Sequence, residues 1–256
     1  MTDPRVALCI PAYRAEKFIS RTLERARAQT HSNLEIIVSI DDCDDGTASE
    51  CEKHAKQDSR IRVVPQSKQL GWSQNANAAL DEVRSEFACI YFHDDIIEDT
   101  YIERLLSALE SDKNAASAHC DLLEFGLVET LRPAHSYLVA TLNRFVEFML
   151  TKRGTTLRSL HRVSRFDTPL RFPNILGDNH WTAWGFHLAL LEPGPCLAVN
   201  EPLYKRWQRE GSLTRSAGWH SERLSAVLLG QEESAQACSA ILTRALPNSG
   251  ELRVAM

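Results

Sequence analysis

The sequence predicts an α/β fold in which a central, mostly parallel sheet is flanked by helices. Three observations carry this prediction. Short apolar runs at residues 6–10, 34–40, 61–64 and 87–92 have the length and the β-branched and aromatic content of strands covered on both faces. The stretches between them place apolar residues at helical spacing, with charged residues on the other side. Strand and helix therefore alternate over about the first 95 residues, an order that implies parallel strands joined by right-handed crossovers.

The first strand is Val6-Ala7-Leu8-Cys9-Ile10; Pro11, which has no N–H to give, stops its ladder, and Ala12, Tyr13 and Arg14 turn the chain. A helix over residues 16–29 follows, with Phe18, Ile19, Leu23 and Ala26 on one face. The second strand, residues 34–40, runs into Asp41-Asp42-Cys43-Asp44-Asp45-Gly46-Thr47, and a polar helix spans residues 47–57. Pro65 closes the short third strand. Gly71 turns the chain into a helix whose first turns carry Gln74, Asn75 and Asn77, amides within reach of a ligand. The fourth strand, residues 87–92, stops abruptly at His93, Asp94 and Asp95, and a helix over 100–110 points Tyr101, Leu105, Leu106 and Leu109 inward.

Beyond residue 115 the pattern loosens. A strand is expected over 115–125, a helix over 137–150, and a basic run over 151–171 reads as a solvated face. Pro169, Pro173 and Gly177 break the chain before a helix that starts near Asp178. A strand at 197–199 precedes a polar, basic segment over 204–214, and amphipathic helices are expected over 222–235 and 237–245.

A chain of 256 residues, 43% hydrophobic and 25% charged, is an ordinary globular composition with enough length for a full core. The net charge of -5 argues against a nucleic-acid partner, which would need a basic face. Seven scattered cysteines, none in a C-x-x-C pair, suit free thiols in a reducing compartment. Neither a signal peptide nor an apolar run long enough to span a bilayer is visible, so a cytoplasmic protein without an integral membrane segment is expected.

In open α/β sheets ligands bind beyond the carboxyl ends of the strands, which is where both acidic clusters would lie. A nucleotide base needs an aromatic wall and an acceptor for its ring N–H, roles open to Tyr13 and to Asp41 and Asp42. A diphosphate beside an acidic strand tip needs a cation between them, and Asp95 helped by Asp94 is the expected ligand of Mg²⁺ or Mn²⁺. The plainer reading of Asp94 and Asp95 is helix capping, and of Asp41 and Asp42 a solvated turn. Lys205, Arg206 and Arg209 are candidates to neutralise a leaving diphosphate, with exposed basic residues as the alternative. Trp181, Trp184 and Trp207 could stack on a sugar, although tryptophans at helical spacing are more often core.

Five segments in order resemble the family 2 glycosyltransferases, inverting enzymes with the GT-A nucleotide-diphospho-sugar transferase fold. They are Cys9-Ile10-Pro11-Ala12-Tyr13-Arg14, Ala28-Gln29-Thr30, the 41–47 loop, Leu70-Gly71-Trp72 through Asn77, and His93-Asp94-Asp95. The resemblance is strongest over residues 5–110 and continues weakly through 177–181 and 204–215. It implies that residues 1–110 bind the nucleotide sugar, through Pro11, Tyr13, Arg14, Asp41, Asp42, Gly71, Asn75, Asn77 and Asp94, with Arg206 and Arg209 added from the later segment. Residues 111–256 would then form the acceptor and catalytic half. His93-Asp94-Asp95 stands where the family's D-x-D metal motif lies, with His93 in place of the first acid, so His93 and Asp95 become the implied metal ligands. Asp178 becomes the implied general base, where relatives often carry a Glu-Asp pair and this chain has Gly177-Asp178; His180 is the runner-up. Ala76 departs from an arginine found in many relatives.

The expectation is thus transfer of a sugar from a nucleotide-diphosphate donor, a UDP-sugar first, to a hydroxyl of a saccharide or lipid-linked acceptor, with inversion, as in polysaccharide biosynthesis. A non-catalytic sugar-nucleotide-binding subunit and a nucleotidyltransferase are the alternatives. No G-x-G-x-x-G follows the first strand, which speaks against a dehydrogenase.

Overall fold

β1 (Val6–Ala12) is the hub of the sheet, flanked by β2 (Leu34–Ile40) on one side and β4 (Phe87–Ile90) on the other, both parallel to it. The computed structural model describes residues 3–151, 154–174 and 180–210. β3 (Ile61–Pro65) extends the parallel half beyond β2. On the other side the short β8 (Leu160–Arg162) pairs antiparallel with both β4 and β6 (Ser117–Gly126), so β6 runs in the same direction as β4. β9 (Cys196–Gln208) lies parallel to β6, and β5 (Ile96–Ile97) and β7 (Thr130–Arg132) add short antiparallel edges to β9 and β6.

Strand alternation decides where the helices go. Val6, Leu8, Ile10, Ile36 and Val38 form one core with α1 (Ile19–Arg27), α2 (Thr47–Gln57) and α4 (Tyr101–Ser111). The odd-facing set, Ala7, Cys9 and Ile37, packs on Ala76, Ala79 and Leu80 of α3 (Trp72–Asp81) and on Phe186 and Leu190 of α6 (His180–Leu191). Both faces of the parallel half are covered, as the continuous apolar strands required. A third cluster joins Phe145 and Phe148 of α5 (Thr141–Thr151) to Leu188 and Leu191.

The structure departs from the sequence expectations mostly at element ends. α1 starts at Ile19 because the Ala15 carbonyl accepts the N–H groups of both Phe18 and Ile19 at 2.8 Å. β4 ends at Ile90, two residues early, and Phe92 gives its N–H to the Tyr204 hydroxyl at 3.2 Å. The basic run over 151–171 is not one solvated face: it contains a 3-10 helix, Gly154–Arg158, and β8, with Arg158 and His161 buried. The expected strand 197–199 lies near the start of β9, whose polar end over 204–208 is also strand because it pairs with both β6 and β5. The helices expected over 222–235 and 237–245 lie outside the described residues.

Candidate active site

Six strands point their carboxyl ends the same way, so the tips of β1, β2, β4 and β9 meet at one edge of the sheet. Side chains stitch these tips together. Asp41, at the end of β2, is 1% exposed; its Oδ1 accepts the Leu70 N–H at 2.6 Å and its Oδ2 the Gly71 N–H at 3.0 Å. Gly71 holds φ at +84°, a conformation that favours glycine and lets these amides face the carboxylate. Asn75 is buried and gives its amide hydrogens to the carbonyls of Ala12 at 3.1 Å and Ser39 at 3.2 Å, while the Ser39 hydroxyl donates to its Oδ1 at 2.7 Å. Asn77 donates to the Phe172 carbonyl at 3.0 Å and accepts the Phe172 N–H at 2.8 Å.

Asp41, Asn75 and Asn77, expected to touch the ligand, have side chains that are buried and hydrogen-bonded within the wall of this edge. Ala76 lies in the core beneath them. The open groups on this side are Asp42, which is exposed, half-buried Tyr13, and exposed Arg14. Arg14 adopts φ of +45°, lies 5.6 Å from the Tyr13 ring centre and pairs with Asp44 at 3.3 Å. The Pro11 carbonyl accepts a hydrogen bond from His93 Nδ1 at 3.0 Å, joining the β1 tip to the β4 tip.

At the β4 tip the two adjacent acids face opposite ways. Asp95 is 2% exposed. Its Oδ2 accepts from Arg158 at 3.3 Å and from the Tyr204 hydroxyl at 2.9 Å, and its Oδ1 accepts the Trp207 N–H at 3.2 Å. Burial pushes the Asp95 carboxyl above its usual range and the Arg158 charge draws it back. The Arg158 guanidinium sits between the rings of Phe92 and Tyr204, at 5.1 and 5.0 Å. Asp94 turns outward and meets Arg209 at 3.3 Å, while its carbonyl accepts from Arg21 at 3.2 Å. Arg209 lies 4.7 Å from the Phe18 ring and Arg21 5.3 Å from the Trp207 ring, and Phe18 meets Trp207 edge-on at 5.4 Å. Arg206 pairs with Glu124, which Arg132 also holds at 2.9 Å, and Lys205 pairs with Glu98 at 2.6 Å.

The expected metal ligands do not fit a divalent cation. Both oxygens of Asp95 are taken inside the protein. His93 spends Nδ1 on a carbonyl, leaving Nε2 and the Arg209-paired Asp94 as donors. Among the described residues no group of three His, Cys, Asp or Glu side chains is arranged to hold a metal. Asp178 lies outside the described residues; His180, Trp181 and Trp184 fall on the first turns of α6.

Sequence reasoning missed Arg158, Tyr204 and Arg21. Arg158 stands 63 residues from Asp95 in a run of cations and carries no local signal. Arg21 was one unremarked cation of its helix, and only the position of β9 brings it over the Trp207 ring.

Residues 7–192 match the family described as Glycosyl transferase family 2. A glycosyltransferase of Streptococcus pneumoniae, GlyG, is 29% identical over 41% of this chain and 35% of its own length. The GalNAc(5)-diNAcBac-PP-undecaprenol beta-1,3-glucosyltransferase of Campylobacter jejuni is 30% identical over 45% of this chain and 37% of its own. The chain thus spans little more than a third of these relatives. Staphylococcus aureus TarS 1-349, solved in complex with UDP-GlcNAc, shares the fold at a TM-score of 0.68 and 18% identity, over 96% of this chain and 73% of that 1-349 chain. The fold is thus shared with TarS, and the family match covers most of the sequence: the chain belongs to glycosyl transferase family 2.

Proposed function

We propose that this protein transfers a sugar from a nucleotide-diphosphate sugar, with a UDP-sugar as first choice, to a hydroxyl of a saccharide or lipid-linked acceptor with inversion. One observation carries the reading: the tips of β1, β2, β4 and β9 are bonded into a single edge that presents Tyr13 and Asp42 at one end and Asp94, Arg206 and Arg209 at the other. Tyr13 and Asp42 take the base. The arginines neutralise the diphosphate as the bond from the anomeric carbon to its oxygen breaks. Asp178 accepts the proton of the acceptor hydroxyl as that oxygen attacks from the opposite side. The nucleotide half is assigned to residues 1–110 and the acceptor half to 111–256. Support for the donor class comes from TarS, which was solved with UDP-GlcNAc. An acceptor carried on a lipid diphosphate is the one named for the Campylobacter relative. No helix among the described residues is long and apolar enough to cross a membrane, and the six described cysteines are free, which suits a cytoplasmic enzyme.

The test is turnover of a panel of nucleotide sugars with saccharide acceptors, comparing the unmodified chain with Asp178→Asn. Transfer that Asp178→Asn abolishes is the expected result. Nucleotide binding without turnover in either protein supports a non-catalytic sugar-nucleotide-binding subunit instead, and pyrophosphate exchange with a sugar phosphate supports a nucleotidyltransferase.

A further inference from the structure

We infer that Arg209 occupies the place of a divalent cation in this site, so that donor binding is independent of metal. The inference rests on the donor reading above and deepens it. Mg²⁺ beside substrate phosphates is held by one or two open carboxylates. Here one of the two strand-tip carboxylates, Asp95, is closed off by Arg158, Tyr204 and the Trp207 N–H. The other, Asp94, has a guanidinium on it. A divalent ion placed on Asp94 would sit against the positive charge of Arg209, and among the described residues no third His, Cys, Asp or Glu joins Asp94 and His93 to hold it.

The charge balance around the tip points the same way. Arg21, Arg158, Arg206 and Arg209 converge on Asp94, Asp95 and Glu124, and Glu124 is shared with Arg132 as well. The surplus is positive without any ion, which is what a diphosphate needs. Arg209 is also placed in advance. Phe18 lies under its guanidinium at 4.7 Å and Asp94 fixes its edge at 3.3 Å. Its Nε and Nη2 both donate to Asp94 Oδ2, which uses two of the five N–H donors that a guanidinium carries, and its planar fork suits phosphate oxygens. Asp94 then orients Arg209 rather than ligating a metal.

The experiment is calorimetric titration of the full chain, stripped of metal, with UDP and GDP, first in EDTA and then with Mn²⁺, alongside electron paramagnetic resonance of Mn²⁺ added to the protein alone. The expected result is one nucleotide whose affinity agrees within about threefold in the two buffers, a free-Mn²⁺ signal that the protein does not diminish, and a loss of about tenfold or more in Arg209→Ala that Arg209→Lys partly restores. Thermal midpoints of the variants show that they fold. Mn²⁺ tightening nucleotide binding by about tenfold or more, with that gain lost in Asp94→Asn, overturns the inference and leaves the donor reading standing. Unchanged affinity in a folded Arg209→Ala does the same. If neither nucleotide binds in either buffer, the donor reading falls and the role of Arg209 falls with it.

Discussion

Arg158 and Asp95 form an ion pair at 3.3 Å with side-chain exposures of only 9% and 3%, although 63 residues separate them in sequence. The pair is completed by the Tyr204 hydroxyl and the Trp207 N–H, so one carboxylate ties the β4 tip, the 3-10 helix and β9 together. Removing one partner of such a buried pair leaves an uncompensated charge and costs about 3–5 kcal/mol, whereas removing both costs far less. Arg158→Met is therefore expected to lower unfolding free energy by that amount in urea titration. The double variant Arg158→Met with Asp95→Asn should recover most of the loss, because Asn Oδ1 still accepts the Trp207 N–H and its amide N–H can donate to the Tyr204 hydroxyl oxygen. A double variant no more stable than Arg158→Met would show that the charge pairing is not what holds the three elements.

Asn77 offers a test of wall against ligand contact. Its amide makes both bonds of a two-way clamp on Phe172, and replacement by Ala leaves a buried N–H and a buried C=O unpaired. Each orphaned group costs about 1–3 kcal/mol, so Asn77→Ala should be among the more destabilising single changes in the molecule. Chemical denaturation gives the value; a loss below about 0.5 kcal/mol would mean that water replaces the clamp and that Asn77 is free for another role.

The parallel half of the fold was legible because its signals are local: apolar runs of strand length, a proline or acids at each end, helical spacing between. The gathering of acids at one sheet edge followed from topology. Which acid of a pair faces outward did not follow. Asp94 and Asp95 are adjacent, and their opposite directions are set by Arg158 and Tyr204, neither of which announces itself in sequence. Likewise residues 204–214 read only as a polar, basic segment, because nothing local says that β6 and β5 flank its first residues on both sides. The hydrogen bonds that bury Asn75 and Asn77 were hidden for a related reason. An amide near a glycine turn looks available until the backbone groups it must satisfy are in view.

Gly126 closes β6 at φ of +107°, and a Cβ there would run into the backbone carbonyl of Gln208 and the Trp207 ring. Gly126→Ala therefore combines a left-handed backbone with a clash against a backbone atom, which cannot swing away. A cost of about 1–3 kcal/mol is expected, read as a lowered thermal midpoint. Because Gly126 pairs with Gln208, next to Arg209, the same variant should bind nucleotide more weakly. An unchanged midpoint would show that β9 moves aside here without penalty.

Stability should also fall in mild acid, and the buried histidines say where. His119 and His161 are held down at about 4 and His187 at about 3, in each case chiefly because burial penalises the charged ring; the Arg158 charge adds to the effect at His187. An unfolded chain protonates these rings near pH 6.5. Between there and about pH 4 the unfolded state holds the protons and the folded state does not, so acid favours unfolding. Near pH 5 these three rings alone account for almost three protons taken up on unfolding, a slope of roughly 4 kcal/mol per pH unit that the raised Asp95 carboxyl works against. Asp58, whose carboxyl Arg60 holds below its usual range, titrates lower still and does not act in this window. Urea titrations from pH 7 to pH 5 should therefore show stability flat above about pH 7 and dropping steeply below 6. In His161→Gln, which removes one of the three rings, the slope should shrink by about one proton, roughly 1.4 kcal/mol per pH unit. A slope unchanged in that variant would mean that His161 already carries its proton when folded, which a ring buried against Phe166 at 5.4 Å should not do.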